Sequence, residues 1–162
     1  MPKNVTIELP KNGDVLFNVE EKVFPDHKAN AGDKAYVFMH TVPFEGSVGL
    51  VNMLTATRLV RKGFDLGFVL FGPGVLMASA SRGYPAVGAE GFPGNMGYNK
   101  QLKTLMDEGA KVYACRFAMG ALYGMREDDL MPGVKAINPL DVLDINIQAW
   151  KERAIVMTTW TL

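Results

Sequence analysis

The stretch Lys111–Met125 reads KVYACRFAMGALYGM and holds the only cysteine of the chain, Cys115. Its first residues, Lys111–Ala114, are typical of a short buried strand, and the small residues after the cysteine are typical of a helix. A thiol at such a junction faces helical backbone N–H groups that have no partner, and these stabilise a thiolate, the reactive form of cysteine. The alternative is that Cys115 is a small apolar core residue, as free cysteines usually are.

Strand and helix patterns alternate on both sides of this stretch. The other predicted strands are Lys34–His40, Asp65–Phe71, Val134–Ile137 and Ala154–Thr161. Helical patterns cover Val48–Lys62, Met96–Glu108 and Leu140–Arg153, with a short helix or irregular segment at Val75–Ser81 and another short helix opening at Arg126–Asp129. The alternation predicts one three-layer α/β sandwich, with a five-stranded, mainly parallel sheet and helices on both faces.

The apolar positions of the three long helices recur at helical spacing. They are Val48, Val51 and Leu59 with Thr55 in the first helix, Leu102, Leu105 and Met106 in the second, and Leu140, Leu143, Ile147 and Trp150 in the third. The third helix also has a strong start signal, because Asn138 suits the N-cap and Pro139 suits the first turn. Ser47 is a fair N-cap for the first helix.

The strand order sets where a ligand would bind. For five strands we expect the common order 2-1-3-4-5, in which the direction of the chain reverses between the first and third strands. Ligands bind at such a switch point, outside the carboxyl ends of the strands. Because the first strand ends at His40 and the third at Cys115, this order would bring both residues to one crevice. The loop Gly72–Gly74 would border it.

Chemical roles follow from that placement. Cys115 is the candidate nucleophile or sulfur carrier, and His40 is its candidate partner, able to take a proton or stabilise a thiolate. The alternative for His40 is a structural residue at a strand end. Arg116 would either hold an anion or make a surface ion pair. The residues that we expect to contact a ligand are Thr41, Gly72, Gly74 and Arg116.

Two segments lie outside the alternating pattern. Residues 1–33 are polar and broken by proline and glycine, and they predict an N-terminal arm with weak strands at Val5–Leu9 and Val15–Val19, packed on the domain of residues 34–162 or on a neighbouring subunit. A long loop carries glycine at every third position, Gly88, Gly91, Gly94 and Gly97. It is either a turn-rich connection or a mobile lid.

Composition narrows the class of protein. The 162 residues include 17 Lys and Arg against 17 Asp and Glu, so there is no basic field to hold nucleic acid, and near-neutrality does not oppose self-association. One cysteine excludes an intramolecular disulfide, and no Cys/His spacing suits a metal. No apolar run is long enough to cross a membrane, and no secretory signal opens the sequence. We expect a cytoplasmic homo-oligomer without a cofactor.

The strand–Cys115–helix pattern, followed by Gly124, Asp128-Asp129-Leu130 and Pro132-Gly133, resembles the DsrE/DsrF-like family from about Lys34 onward. The resemblance implies the five-stranded α/β sandwich, oligomers and, in sulfur-relay members, a persulfide on the cysteine at this position. The strings VPFEGSVGLVNMLTATRLVRKGF, LFGPGVLMASASRG and ACRFAMGALYGMREDDLMPGVK look like the nitrogen starvation response proteins of bacterial nitrilase gene clusters. This narrower likeness extends through the whole chain.

Three functions remain open from the sequence. The first is a thiol-based carrier in which Cys115 accepts sulfur and passes it to a partner thiol protein, since the chain has no second cysteine. The second is a non-catalytic, regulatory oligomer that binds a small metabolite. The third, a hydrolase using Cys115 and His40, is weaker because no carboxylate is evidently placed to orient His40. The sequence therefore leaves open whether the protein is an enzyme.

Overall fold

The computed structural model describes residues 24–42, 48–80 and 95–159, with the backbone alone for residues 95–97. The predicted arm strands, the Ser47 cap and most of the glycine-rich loop lie outside the described residues. Within these ranges, residues that precede the first strand already pack on the domain. The Ala29 N–H donates to the Lys62 carbonyl at 2.9 Å, and Lys62 forms an ion pair with Asp26.

Five parallel strands form one sheet, as predicted. They are β1 (Lys34–Met39), β2 (Asp65–Leu70), β3 (Lys111–Cys115), β4 (Lys135–Ile137) and β5 (Ile155–Thr158). Their spatial order is β4-β3-β2-β1-β5, so the predicted order 2-1-3-4-5 was wrong. Both orders satisfy right-handed crossovers and the same alternation of strands and helices, and periodicity along the chain does not say which strands are neighbours.

The helices begin and end within one or two residues of their predicted bounds. They are α1 (Val48–Arg61), α2 (Asn95–Asp107) and α3 (Pro139–Lys151), with 3₁₀ helices at Gly72–Ala78 and Glu127–Asp129 and a π-helix at Ala118–Leu122. The chain moves from β1 to β4 in one direction across the sheet, so right-handed crossovers place α1 and α2 on one face. The return from β4 to β5 places α3 on the other face.

Alternate residues of β1 show the two layers. Ala35, Val37 and Met39 pack in the core on the α1 and α2 side, whereas Tyr36 and Phe38 pack on the α3 side. In α2, Leu102 and Leu105 are fully buried as predicted. None of the described helices is both long and apolar enough to cross a membrane.

In α1 the buried face differs from the predicted one. Leu59 is buried, but Val48 and Val51 are exposed, and Met53 and Ala56 face the core in their place. The predicted positions do share one side of the helix. The apolar spacing identifies which residues share one side of the helix, but it does not show whether that side packs on the sheet.

Helix α3 begins as predicted, but its apolar stripe is exposed. The Asn138 side chain accepts a hydrogen bond from the Leu140 N–H at 2.9 Å, and Asp141 accepts one from the Asn138 N–H at 2.8 Å. Ala149, not the large apolar residues, is the buried position of the helix. The exposed residues of the stripe are Leu140, Leu143, Ile147 and Trp150, with exposed fractions of 70%, 60%, 41% and 79%.

Candidate functional site

The candidate site lies at the carboxyl edge of the sheet, between β3 and β4. Cys115 is the last residue of β3 and pairs with Ile137 of β4. The chain leaves β3 into the π-helix, whose Ala118 and Met119 belong to the core on the α1 and α2 side, and leaves β4 into α3 on the opposite face. Connections that depart toward opposite faces leave a crevice between their strands. The switch point therefore lies between β3 and β4 rather than between the first and third strands.

A groove of about 380 Å³ occupies this crevice and is called the thiol groove below. Its described walls are the ends of β2 and β3, the segment after β3, and the first turns of α3. The lining residues are Phe71, Gly72, Cys115, Phe117, Ala118, Leu122, Pro139, Val142, Leu143 and Asn146. The volume falls in the lower part of the range typical of small-molecule sites, and no charged side chain is among these residues.

Cys115 is 5% exposed and packs against core residues, yet it also contributes to the groove wall. Cys115 is therefore both a core residue and a residue of the groove wall. The thiol groove is the described surface that borders Cys115.

Asn146 is the other polar residue of the groove wall. Its Nδ2 donates to the Val142 carbonyl at 2.8 Å. A carbonyl oxygen only accepts hydrogen bonds, so this contact fixes the orientation of the amide. Among the described residues, none donates to the Asn146 Oδ1 atom, which leaves this acceptor available to a bound molecule.

His40 lies beside the groove wall and is not one of its described lining residues. Strand β2 separates the strand that His40 follows from β3, a gap of two strand spacings or about 10 Å. The His40 ring lies 4.8 Å from that of Phe71, and a Cβ on Gly72 would be 2.4 Å from His40 Nε2. Cys115 lines the groove, whereas His40 packs against Phe71 and Gly72 outside it. The expectation that both residues line one crevice, which followed from the predicted strand order, was therefore wrong.

The remaining predicted ligand contacts have other surroundings. Gly74 is packed so closely on β1 that a Cβ would be 2.2 Å from the Met39 carbonyl oxygen, and Thr41 is buried. The Arg116 Nε donates to Glu127 Oε1 at 2.5 Å on the surface. This hydrogen bond raises the pKa of Arg116 and lowers that of Glu127. Of the two interpretations of Arg116, the surface ion pair is the one that the structure contains.

Helix α3 also contributes to the site, which was not predicted from the sequence. Four residues from its first two turns line the groove: Pro139, Val142, Leu143 and Asn146. In the sequence, the polar Asn146 stands next to an apolar stripe and could have been noticed as a candidate. Its closeness to Cys115 follows only from the pairing of β3 with β4, which the sequence did not predict. Within the described parts of the chain, no three His, Cys, Asp or Glu side chains form a group that could hold a metal ion.

Comparisons with known proteins identify the fold. No family profile matches the sequence, and no curated protein matches it. Among solved structures, the YchN protein from E. coli matches with a TM-score of 0.58 and 19% identity, covering 77% of this chain and 98% of that chain. MTH1491 from Methanobacterium thermoautotrophicum, described as a protein of unknown function, matches with a TM-score of 0.56 and 17% identity over 77% of this chain and 99% of that one. The chain has a DsrE-like α/β fold.

Proposed function

We propose that this DsrE-like protein is a thiol-based sulfur carrier in which Cys115 holds sulfur as a persulfide. One observation carries the proposal. The only thiol of the chain lines a groove at the switch point of the sheet, where α/β proteins bind ligands. His40 remains a predicted proton partner, and its contact with Gly72 is the route by which it would influence the groove.

The loading step needs no oxidant. The Cys115 thiolate attacks the outer sulfur of a donor persulfide, R–S–SH, and the donor S–S bond breaks as the new S–S bond forms. The donor leaves as a thiolate, R–S⁻, which takes up a proton from water. Because the chain has no second cysteine, the sulfur leaves by the same exchange with a thiol of another molecule.

Burial suits a carrier because it limits which thiols reach the loaded sulfur. With 5% of Cys115 exposed, thiols that do not fit the thiol groove are excluded from attack on a persulfide held there. The same burial slows oxidation of the thiol, since susceptibility follows thiolate character and exposure.

The test is intact mass after incubation with a persulfide donor. We expect the purified protein to gain the mass of one sulfur atom, to lose it on addition of an acceptor thiol, and to gain none when Cys115 is replaced by serine. Thermal unfolding of the Cys115→Ser variant verifies that it remains folded. A wild-type protein that gains no sulfur, or a serine variant that gains as much, would contradict the proposal.

The second candidate function is a regulatory oligomer that binds a small metabolite without chemistry at Cys115. The volume and apolar lining of the thiol groove favour it. It predicts that Cys115→Ser retains function, whereas filling the groove by Leu143→Trp, at an exposed position of its wall, abolishes it. Under the carrier proposal both substitutions abolish function.

Two further parts of the proposal rest on the sequence and on the exposed helix face. The strings quoted above support a role in nitrogen starvation. The exposed apolar stripe of α3, with Phe117 and Leu122 beside it, supports a homo-oligomer, because monomers rarely expose contiguous apolar patches of this extent. A free thiol persists best in a reducing compartment, which supports a cytoplasmic location.

A further inference from the structure

We infer that the thiol groove selects small reactants whose body is uncharged and largely apolar, with polar groups that are neutral. The inference rests on the proposed function, because it names the class of molecule that brings sulfur to Cys115. It excludes the common charged, water-soluble thiols and persulfides as preferred partners of this site.

The first argument is the absence of a counter-charge. None of the described lining residues is charged, so an anionic group inside the groove would lose solvent without gaining an ion pair. Complete removal of a carboxylate from water without a partner costs several kcal/mol, and an anion in this groove bears part of that cost because wall residues such as Phe117 and Leu143 stay about 60% exposed. An uncharged apolar body avoids this cost and gains from contact with residues such as Phe117, Leu122 and Leu143.

The described charge nearest to Cys115 in the chain does not supply that partner. Arg116 follows Cys115 directly, and its guanidinium bonds to Glu127. Asp141 also interacts electrostatically with Arg116, and its carboxylate accepts the Asn138 N–H. The cation is therefore already balanced by carboxylates.

Asn146 offers a neutral polar contact. One Nδ2 hydrogen is donated to the Val142 carbonyl, which leaves the second Nδ2 hydrogen and the acceptor Oδ1 for a ligand. A neutral group that both donates and accepts, such as an amide, can pair with both atoms without bringing a charge into the groove.

The size of the groove limits the reactant. A volume of about 380 Å³ holds roughly a dozen non-hydrogen atoms, at the ~30 Å³ that one water molecule takes up in the liquid. A benzyl or short alkyl carrier fits this volume, whereas a tripeptide thiol does not.

The experiment compares alkylating agents that share one reactive group. N-Benzyl iodoacetamide and iodoacetate are reacted with the wild-type protein, and the rates at Cys115 are followed by intact mass. Each rate is divided by that for N-acetylcysteine amide, which removes intrinsic reactivity. We expect the normalised ratio of the benzyl reagent to iodoacetate to exceed one by about tenfold or more. A ratio of one, or a preference for iodoacetate, overturns the inference.

A matched pair of variants tests the role of charge. Leu143→Lys places a cation in the groove wall, whereas Trp150→Lys places one on the same exposed helix about 10 Å further along. We expect Leu143→Lys to raise the relative rate of iodoacetate several-fold and Trp150→Lys to leave it unchanged, with circular dichroism showing both folded. Equal behaviour of the two variants would overturn the inference.

Sulfur loading from benzyl persulfide and glutathione persulfide separates this inference from the carrier proposal. Faster loading from the benzyl donor supports both. Equal loading from the two donors overturns the selectivity and leaves the carrier standing. If neither donor loads Cys115, the carrier proposal fails, and the alkylation ratios still decide whether the groove selects uncharged molecules.

Discussion

At Gly72 the chain requires glycine for two independent reasons. Its φ of 51° lies in the left-handed region, and a Cβ would approach His40 Nε2 to 2.4 Å. Gly72 lines the thiol groove on one side and leaves room for the His40 ring on the other.

We therefore expect Gly72→Ala to lower the free energy of unfolding by about 1–3 kcal/mol, from backbone strain and displacement of His40. Chemical denaturation measures the effect. Gly120→Ala is the matched control, because a Cβ there meets no atom within 4 Å, and it should be neutral or slightly stabilising. Equal stability of the Gly72→Ala variant and the wild type would show that the turn adapts.

Tyr36 links β1 to the end of α3. Its hydroxyl donates to Glu152 Oε2 at 3.0 Å, and a Cβ on Gly67 would be 2.7 Å from its ring, so glycine in β2 makes room for it. The pKa of Tyr36 is raised from 10.0 to about 12, mainly because the ring is partly buried and also because the hydroxyl bonds to the Glu152 carboxylate.

The raised pKa predicts a loss of stability at alkaline pH. Below pH 10 Tyr36 is protonated in both states, and between pH 10 and about 12 the unfolded chain releases a proton that the folded protein retains. Stability from this residue is thus lost as pH rises through that window. Tyr36→Phe should cost about 1 kcal/mol at neutral pH and show a shallower alkaline decline in urea midpoint. A parallel decline in both proteins would contradict the assignment.

At the scale of elements, α3 contributes to two surfaces. Its first turns line the thiol groove, and its exposed stripe consists of Leu140, Leu143, Ile147 and Trp150, of which Leu143 belongs to both surfaces. Strand β5 has little cover: Val156, on the α3 side of the sheet, is 45% exposed, and Ile155, on the opposite side, is 41% exposed. The α3 stripe and Val156 form the face on which the proposed contact between copies of the chain would lie.

Placing an acid in that face should weaken self-association. We expect Ile147→Asp to shift the protein toward the monomer by tenfold or more in dissociation constant, roughly the effect of one buried unpaired charge, as measured by sedimentation velocity. Lys100→Asp on α2 introduces an acid on the other face of the sheet and should leave the association unchanged. A wild-type protein that is monomeric at high concentration would remove the homo-oligomer from the proposal.

At the scale of the whole molecule, strand order sets the distribution of stability. Strands β1 and β2 have neighbours on both sides and buried residues on both faces, whereas β4 and β5 are edges. We expect the amides of β1 and β2 to exchange most slowly with deuterium and those of β5 fastest among the strands, by mass spectrometry on dilute protein. Equally slow exchange at β5 would show that something else pairs with it.

The same strand order determines where Cys115 lies in the sheet, while its role stays a prediction. Cys115 stands at a switch point in the structure, as the sequence analysis expected, although the strand beside β3 at that point is β4. The expected neighbour was the strand before His40, and the structure inserts β2 between them.

Local patterns were sufficient for the elements themselves. Runs such as KAYVFM and DLGFVL are apolar because both faces of a central strand are buried, and Asn138-Pro139 begins a helix by hydrogen bonding within a few residues. These causes act between near neighbours, so within the described residues the sequence by itself determined the kind and approximate bounds of the strands and long helices, together with the α/β class.

Tertiary structure alone decided which elements touch. Several orders of five buried strands satisfy the same hydrophobic pattern, and an apolar helix stripe looks alike whether it meets the sheet or a second molecule. The order was set by the packing of whole layers, including Gly67 beneath Tyr36 and Gly72 against His40. The thiol groove and the exposed face of α3 therefore depend on contacts between residues that are distant in sequence, and the sequence pattern does not specify those contacts.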